Sequence, residues 1–416
     1  LGAERAVASR RTGIRVVSNN FGVMRGIRLR DLVVRDVNGS NVKHNTQEGH
    51  GILFASTGNT SVGGELSRFD DFIIEDCRLE RTDRNGISQY TSNGSRSTGV
   101  IIRRNVLEDI GGDGIKIWGS NDARVEHNIV RDGRMRALDH AAGIWPFESD
   151  RTLIQFNTVS GMRGTVDGQG YDADYRCDST IIQYNYSFHN EGGFILLCAP
   201  GNSYSSNTIV RYNISVGDGI STARVFQLGG KITNTRIYNN TIYIKPGQNV
   251  PMISSNWWDG GRADSTHFYN NIFHVAAGGR VTYDLSVSTN HFFDRNAWYG
   301  LHVGRPADTR PVLNLETPFA EPGATGAGLD GAAAYRLSRA DSLLASGRVI
   351  PGNGGRDFFG NPLPDGAPYL GAHQFSEPVS LRARRPGGPV LQVLHHVDVR
   401  GITVPSSRRD ALPAGR

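Results

Sequence analysis

The feature that most constrains this chain is a short phrase that keeps returning. EDCRL, RRNVL, EHNIV, QFNTV, QYNYS, RYNIS, YNNTI, YNNIF and DRNAW follow one another down the sequence. Their shared position is Cys77, Asn105, Asn128, Asn157, Asn185, Asn213, Asn240, Asn271 and Asn296, at gaps of 28, 23, 29, 28, 28, 27, 31 and 25 residues. Self-similarity at such a period marks stacked repeats rather than an irregular globular domain. Three residues before the marker stand Ile74, Ile102, Val125, Ile154, Ile182, Val210, Ile237 and Phe268, all apolar. The next position is polar or amphipathic: Glu75, Arg103, Glu126, Gln155, Gln183, Arg211, Tyr238 and Tyr269. In-out alternation of this kind is a strand with one buried face. One strand of this type per repeat, bounded by Gly and Asn, makes each repeat one coil of a solenoid. A column of equivalent Asn residues is expected at a tight turn, where Asn tolerates the left-handed conformation and its amide can bond the amide of the next coil. Cys77 is expected as a small buried member of that column.

Composition agrees. Gly is 52 of 416 residues without a three-residue period, which excludes collagen, and hydrophobic residues at 38% exclude wholesale disorder. No run of ~18 apolar residues is present to cross a membrane as a helix. The net charge of +5 is spread along the chain, so nucleic acid is not an expected partner. Three cysteines, Cys77, Cys177 and Cys198, form neither a disulfide framework nor a paired zinc motif. The chain begins at Leu1 with no apolar leader, and is read as a mature or trimmed product that is secreted or periplasmic.

The repeat resembles the right-handed parallel β-helix superfamily, the fold of pectate lyases, polygalacturonases and many other carbohydrate-active proteins. The resemblance implies an all-β, single-domain right-handed solenoid of about nine to ten coils over residues 23–300, after an N-terminal lead-in over 1–22. Residues 334–375 (AYRLSRADSLLASG through GAHQF) are similar to the C-terminal closing segment common in that superfamily, and place it within 301–376, covering the open end. Residues 377–416 are expected as a loosely ordered tail.

A second register mark is a Gly before another short strand: Gly51-Ile52, Gly86-Ile87, Gly114-Ile115, Gly143-Ile144, Gly170-Tyr171 and Gly193-Phe194. The large residue points inward, so the following one points outward: Leu53, Ser88, Lys116, Trp145, Asp172, Ile195. Two further on, Ala55, Tyr90, Trp118, Phe147, Asp174 and Leu197 point outward again. Tyr90, Trp118, Trp145 and Phe147 are therefore expected on the outer face, where rings stack on sugar C–H faces. Beside them lies the densest polar stretch, GTVDGQGYDADYRCD over 164–178. Asp172 and Asp174 share one strand face, Asp167 leads into it, Glu148 sits one coil before and Glu191 one coil after. His140 and His189 occupy the neighbouring turns. Asp113, in GGDGIK, reads as a turn residue. Acids stacked in adjacent coils repel one another, which points to chemistry rather than architecture.

Three readings follow. Glycoside hydrolysis needs one carboxylic acid and one carboxylate, drawn from Asp172, Asp174, Asp167, Glu148 and Glu191, with Trp145, Trp118, Tyr90, Phe147, His140, His189, Lys116 and Arg176 binding a polysaccharide or oligosaccharide. No metal or cofactor is needed. Polysaccharide β-elimination would take its base from Lys116, Arg176 or Arg163 and add Ca²⁺ held by the aspartates. A non-catalytic carbohydrate-binding solenoid would explain the rings but not the acids. The superfamily resemblance transfers no catalytic residue, because the polygalacturonase motif order is absent: EGHGI (48–52) and GDGIK (112–116) stand in the wrong places.

Overall fold

The computed structural model describes residues 11–40, 48–59, 64–313 and 316–375. The expected tail over 377–416 lies outside the described residues, as do the first ten residues of the lead-in. The chain winds through three parallel sheets, two of eleven strands and one of twelve, and every sheet pairing is parallel. This is the expected parallel β-helix, with a slightly different coil count. Strands begin at Ile14–Asn19, inside the expected lead-in, and run to Val312–Leu313, past the expected end at 300.

Each coil crosses the sheets in a fixed order. Sheet 1 carries the strands that follow the Gly mark, such as Ile115–Trp118, Ile144–Phe147 and Gln169–Ala173. Sheet 2 carries those before the Asn mark, such as Ile181–Gln183. Sheet 3 follows the Asn, as in Tyr186–Phe188. The eight apolar residues three before the mark are all fully buried and form the core stack with the sheet 1 residues Ile52, Ile87, Ile115, Ile144 and Tyr171.

The marker column is an unbroken amide ladder. The Nδ2 of Asn105 donates to Oδ1 of Asn128 at 2.9 Å, and the pattern repeats through Asn157, Asn185, Asn213, Asn240, Asn271 and Asn296 at 2.9–3.1 Å. Each Nδ2 also donates to the carbonyl of the core residue one coil back, Asn213 to Ile182 for example, at 2.9 Å. Each backbone N–H donates to the next Oδ1, and Cys77 N–H begins the series at 3.0 Å from Asn105. The left-handed conformation, however, falls on the residue before the marker. Asp76, Arg104, His127, Phe156, Tyr184, Tyr212, Asn239, Asn270 and Arg295 have φ between 49° and 58°. Asn is therefore chosen for its amide, and the turn strain, about 1 kcal/mol per non-glycine residue, is offset by several buried hydrogen bonds per coil.

The Gly column has an equally direct cause. A Cβ on Gly51, Gly86, Gly114 or Gly143 would stand 2.3–2.8 Å from the carbonyl oxygen of the next Gly in the column. The same carbonyls accept from Ile52, Ile87 and Ile115 N–H at 2.8–2.9 Å. Gly193 breaks the column: it pairs with Gln169, and Tyr171 pairs with Ile195. The strand is thus shifted by one residue from its expected alignment. Ile195 and Leu197 point into the core, and Leu196 and Cys198 take the outward places.

Residues 316–375 pack lengthwise along the flank, over the tyrosines that follow the core positions, rather than across an open end. Tyr184, Tyr212, Tyr238 and Tyr269 join Phe319, Tyr335, Leu344, Phe358 and Leu370 in a second apolar cluster. Hydrogen bonds fasten the segment, among them Asn239 Nδ2 donating to Tyr369 C=O at 2.8 Å and Gly371 N–H donating to Asn270 C=O at 2.7 Å.

Two substitutions test this architecture. Asn213→Ala removes the acceptor of the Asn185 backbone N–H and of one of its two side-chain N–H groups, and the side-chain donor to the Ile182 carbonyl, and should lower unfolding free energy by about 3 kcal/mol or more. Ile182→Asp buries a charge and should leave no cooperative unfolding transition. Denaturant titration followed by circular dichroism reads both.

Candidate active site

The outward positions of sheet 1 gather the polar residues. Lys116 pairs with Trp145, Ile144 pairs with Tyr171 so that Trp145 lies beside Asp172, and Asp172 pairs with Leu196. Asp172 and Asp174, alternate residues of Gln169–Ala173 and its end, do share a face as expected. The one-residue shift brings Cys198 to them: an oxygen of each aspartate and the Cys198 sulfur lie within 4.8 Å of one another. Cys198 donates to Asp174 Oδ1 at 3.3 Å, and Tyr175 N–H donates to the same oxygen at 2.7 Å. Asp172 is only 3% exposed, and its buried Oδ1 has no hydrogen-bond partner among the described residues. Burial, reinforced by the charges of Asp174, Asp167 and Asp113, pushes its carboxyl well above the ordinary range. Asp167 lies half-buried at the rim in a left-handed turn, bridged to Ala141, and its charge reaches Asp172, Tyr175 and Cys198.

Two carboxylates and a thiol could hold a divalent cation. A thiol must lose its proton to ligate. Burial and then Asp174 and Asp172 push the Cys198 thiol well up, so it stands as a neutral donor to Asp174.

The other two expected acids have different settings. Glu148 follows Phe147 in a left-handed turn, accepts from Trp118 Nε1 at 3.1 Å and is ion-paired with Arg176. It ties the aromatic row to Arg176. Glu191 pairs with Arg163 at 3.0 Å and accepts from Gly164 N–H. Burial works to raise its carboxyl, but the Gly164 amide and Arg163 win and hold it below the ordinary value. With His189 and Lys245 it lines a separate groove of about 380 Å³. His189 has φ of 56°, and burial lowers its basicity. His140 is exposed, and only its carbonyl enters the network, 3.4 Å from Arg84 Nη2.

The expected aromatic row is present and longer than its sequence signal. Tyr90, Trp118, Phe147, Tyr175 and Trp258 follow one another with ring centroids 4.8–5.5 Å apart. Trp145 is 9% exposed and stands 6.3 Å from Phe147. The Lys116 ammonium lies 5.1 Å from the Trp118 ring centroid and 5.7 Å from that of Trp145. Cys198, Tyr175 and Trp258 were not evident from sequence. The run FILLCA (194–199) has no alternation to reveal parity, and Trp258 arrives on a loop outside the repeat.

A family model described as "Right handed beta helix region" matches residues 50–225. The match covers under half of this chain and agrees with the three parallel sheets on the fold, a right-handed parallel β-helix. A lacto-N-biosidase of Bifidobacterium longum subsp. longum is 31% identical over 291 residues, which cover 59% of this chain and 18% of that protein. The chain thus spans under a fifth of the length of this curated relative. Among solved structures, a lacto-N-biosidase from Eubacterium ramulus aligns with TM-score 0.49 at 22% identity, covering 74% of this chain and 46% of that one. The A-module of a mannuronan C-5 epimerase from Azotobacter vinelandii aligns with TM-score 0.44 at 14% identity, covering 74% and 77%.

The setting of Asp172 yields a stability test. Its folded-state pKa is raised, so the protonated form stabilises the fold fully below the unfolded value of about 3.9. That contribution is lost as pH rises through the folded value. Asp172→Asn, neutral throughout, should therefore match the wild type near pH 4 and exceed it at pH 8 by roughly a few degrees in thermal midpoint. Equal midpoints at pH 8 would show that the site does not penalise this charge.

Proposed function

We propose that the chain is the catalytic β-helix of a glycoside hydrolase that cleaves a neutral saccharide, with lacto-N-biosides as the first substrates to try. The observation that carries this reading is the convergence of Asp167, Asp172 and Asp174 beside the ring row. Substrate can touch only accessible carboxylates, so Asp174 and Asp167, each half-buried at the groove, are the working pair. The Tyr175 N–H and the Cys198 thiol suit Asp174 to act as a carboxylate, the nucleophile or base. Asp167 at the rim is then the proton donor. Asp172, beneath them, carries a proton and lets three acids share one site without three charges. Trp118, Phe147, Tyr90 and Trp145 supply apolar ring surface for sugar C–H groups.

A neutral substrate is favoured because the cluster is acidic: Asp113, Asp167 and Asp174 all act on Asp172, and a uronate would add a further negative charge. The 31% identity to a lacto-N-biosidase supports the same class. Elimination would draw its base from Lys116, Arg176 or Arg163; the Lys116 ammonium lies over two indole rings, and the two arginines are ion-paired with Glu148 and Glu191.

Release of p-nitrophenol from p-nitrophenyl lacto-N-bioside tests the assignment. Asp174→Asn and Asp167→Asn should each fold and lose about 10² or more in kcat, the scale of a general acid–base contribution. Trp145→Ala should act mainly on KM. If both aspartate variants keep above roughly a tenth of wild-type turnover, well short of that contribution, the pair is wrongly chosen.

A further inference from the structure

A second buried acid lies next to the aspartate cluster, in the turn before strand Ile115–Trp118. Asp113 is 1% exposed, and its Oδ1 accepts two hydrogen bonds, from Ala142 N–H at 2.9 Å and from the indole Nε1–H of Trp145 at 3.0 Å. Its Oδ2 stands 3.9 Å from Nη2 of Arg84, whose side chain is equally buried. Arg84 in turn donates from Nη1 to Asp139 at 2.8 Å. Gly112 leaves room for this cation: a Cβ there would lie 3.1 Å from the guanidinium carbon.

The turn itself does not call for a charge. Asn85 fills the same place one coil earlier, where its Oδ1 accepts from Asp113 N–H at 3.0 Å. A neutral amide therefore suffices for the backbone bond. What distinguishes position 113 is the pair of side chains around it, an indole N–H on one oxygen and a buried guanidinium near the other. An ionised acceptor binds an N–H more strongly than a neutral one, and a buried carboxylate is tolerable only with a cation at hand.

We infer that Asp113, backed by Arg84, is a positioning residue of the groove. It locks the Trp145 indole into the wall between Lys116 and Asp172. Trp145 cannot then turn its N–H toward a ligand. One face of the ring lies toward the Lys116 ammonium and its polar edge is held by Asp113, so what it offers a ligand is apolar ring surface. The ring is fixed before a ligand arrives, which removes an ordering cost from binding. The effect on turnover rests on the hydrolase reading above; the effect on the indole does not.

Protein labelled with ¹⁵N-tryptophan separates the two. The Trp145 indole resonance is assigned by its loss in Trp145→Phe. Its hydrogen exchange should be slow in the wild type, remain slow in Asp113→Asn, which keeps an acceptor, and quicken about tenfold or more in Asp113→Ala, the equivalent of one hydrogen bond. Asp113→Ser substitutes should the alanine variant not fold. Unchanged exchange in the truncated variant overturns the proposal, whatever the protein hydrolyses. In activity on p-nitrophenyl lacto-N-bioside, Asp113→Ala should raise KM about tenfold in the wild type and add nothing in the Trp145→Phe background. An equal loss in both backgrounds means that Asp113 serves the turn alone, and also overturns it.

Discussion

The molecule depends on an amide bonded to the same amide one coil away. In a parallel β-helix nothing in the strands alone prevents a coil from slipping along its neighbour, and a slip of one residue would turn every core side chain outward. The Asn ladder prevents this at one corner, because each amide is satisfied only when its equivalent stands directly above it. The Gly column does the same at another corner by admitting the next carbonyl where a Cβ would collide with it. With two corners pinned, residues about 28 apart in sequence are neighbours in space. Side chains from different coils can then be brought into one site.

That register is what makes the acidic site possible and also what makes it costly. It buries Asp172 within reach of the charges of three other carboxyl groups, and burial first, then those charges, raise its carboxyl well above the ordinary range. The surrounding ladder residues are fully bonded, and the rigid frame absorbs the repulsion that a looser one would relieve by moving. The same frame fixes Trp118 through Glu148 and Trp145 through Asp113, so the rings beside the acids are held by hydrogen bonds at their polar edges and left apolar elsewhere.

The fold was legible because its signal is repeated. Nine copies of one phrase average out local exceptions, and Ile74 through Phe268 all fell inside as the alternation required. The site was legible only in part. Asp172, Asp174 and the ring row follow from strand parity. Glu148 and Glu191 are in the neighbouring coils as expected, but the sequence does not reveal that Arg176 and Arg163 claim them. Cys198 was hidden by the extra residue at Gly193, since a uniformly apolar strand carries no mark of its own phase. The left-handed residues were misplaced by one position for a different reason: bulky Phe156 and Tyr184 have no intrinsic taste for that conformation and adopt it because the ladder beside them leaves no alternative. The flank position of residues 316–375 follows from tyrosines at outward sites, which the alternation alone classes as polar surface.

The central claim is that this acidic, ring-lined site hydrolyses a neutral sugar rather than eliminating across a uronate. Incubation of the full chain with lacto-N-tetraose, pectate and alginate, followed both by reducing ends and by absorbance near 235 nm, tests it most directly. The account predicts new reducing ends from the neutral oligosaccharide with no change in absorbance. Absorbance rising on a uronate polymer, dependent on added Ca²⁺, would contradict it and turn the aspartates from acid and base into metal ligands.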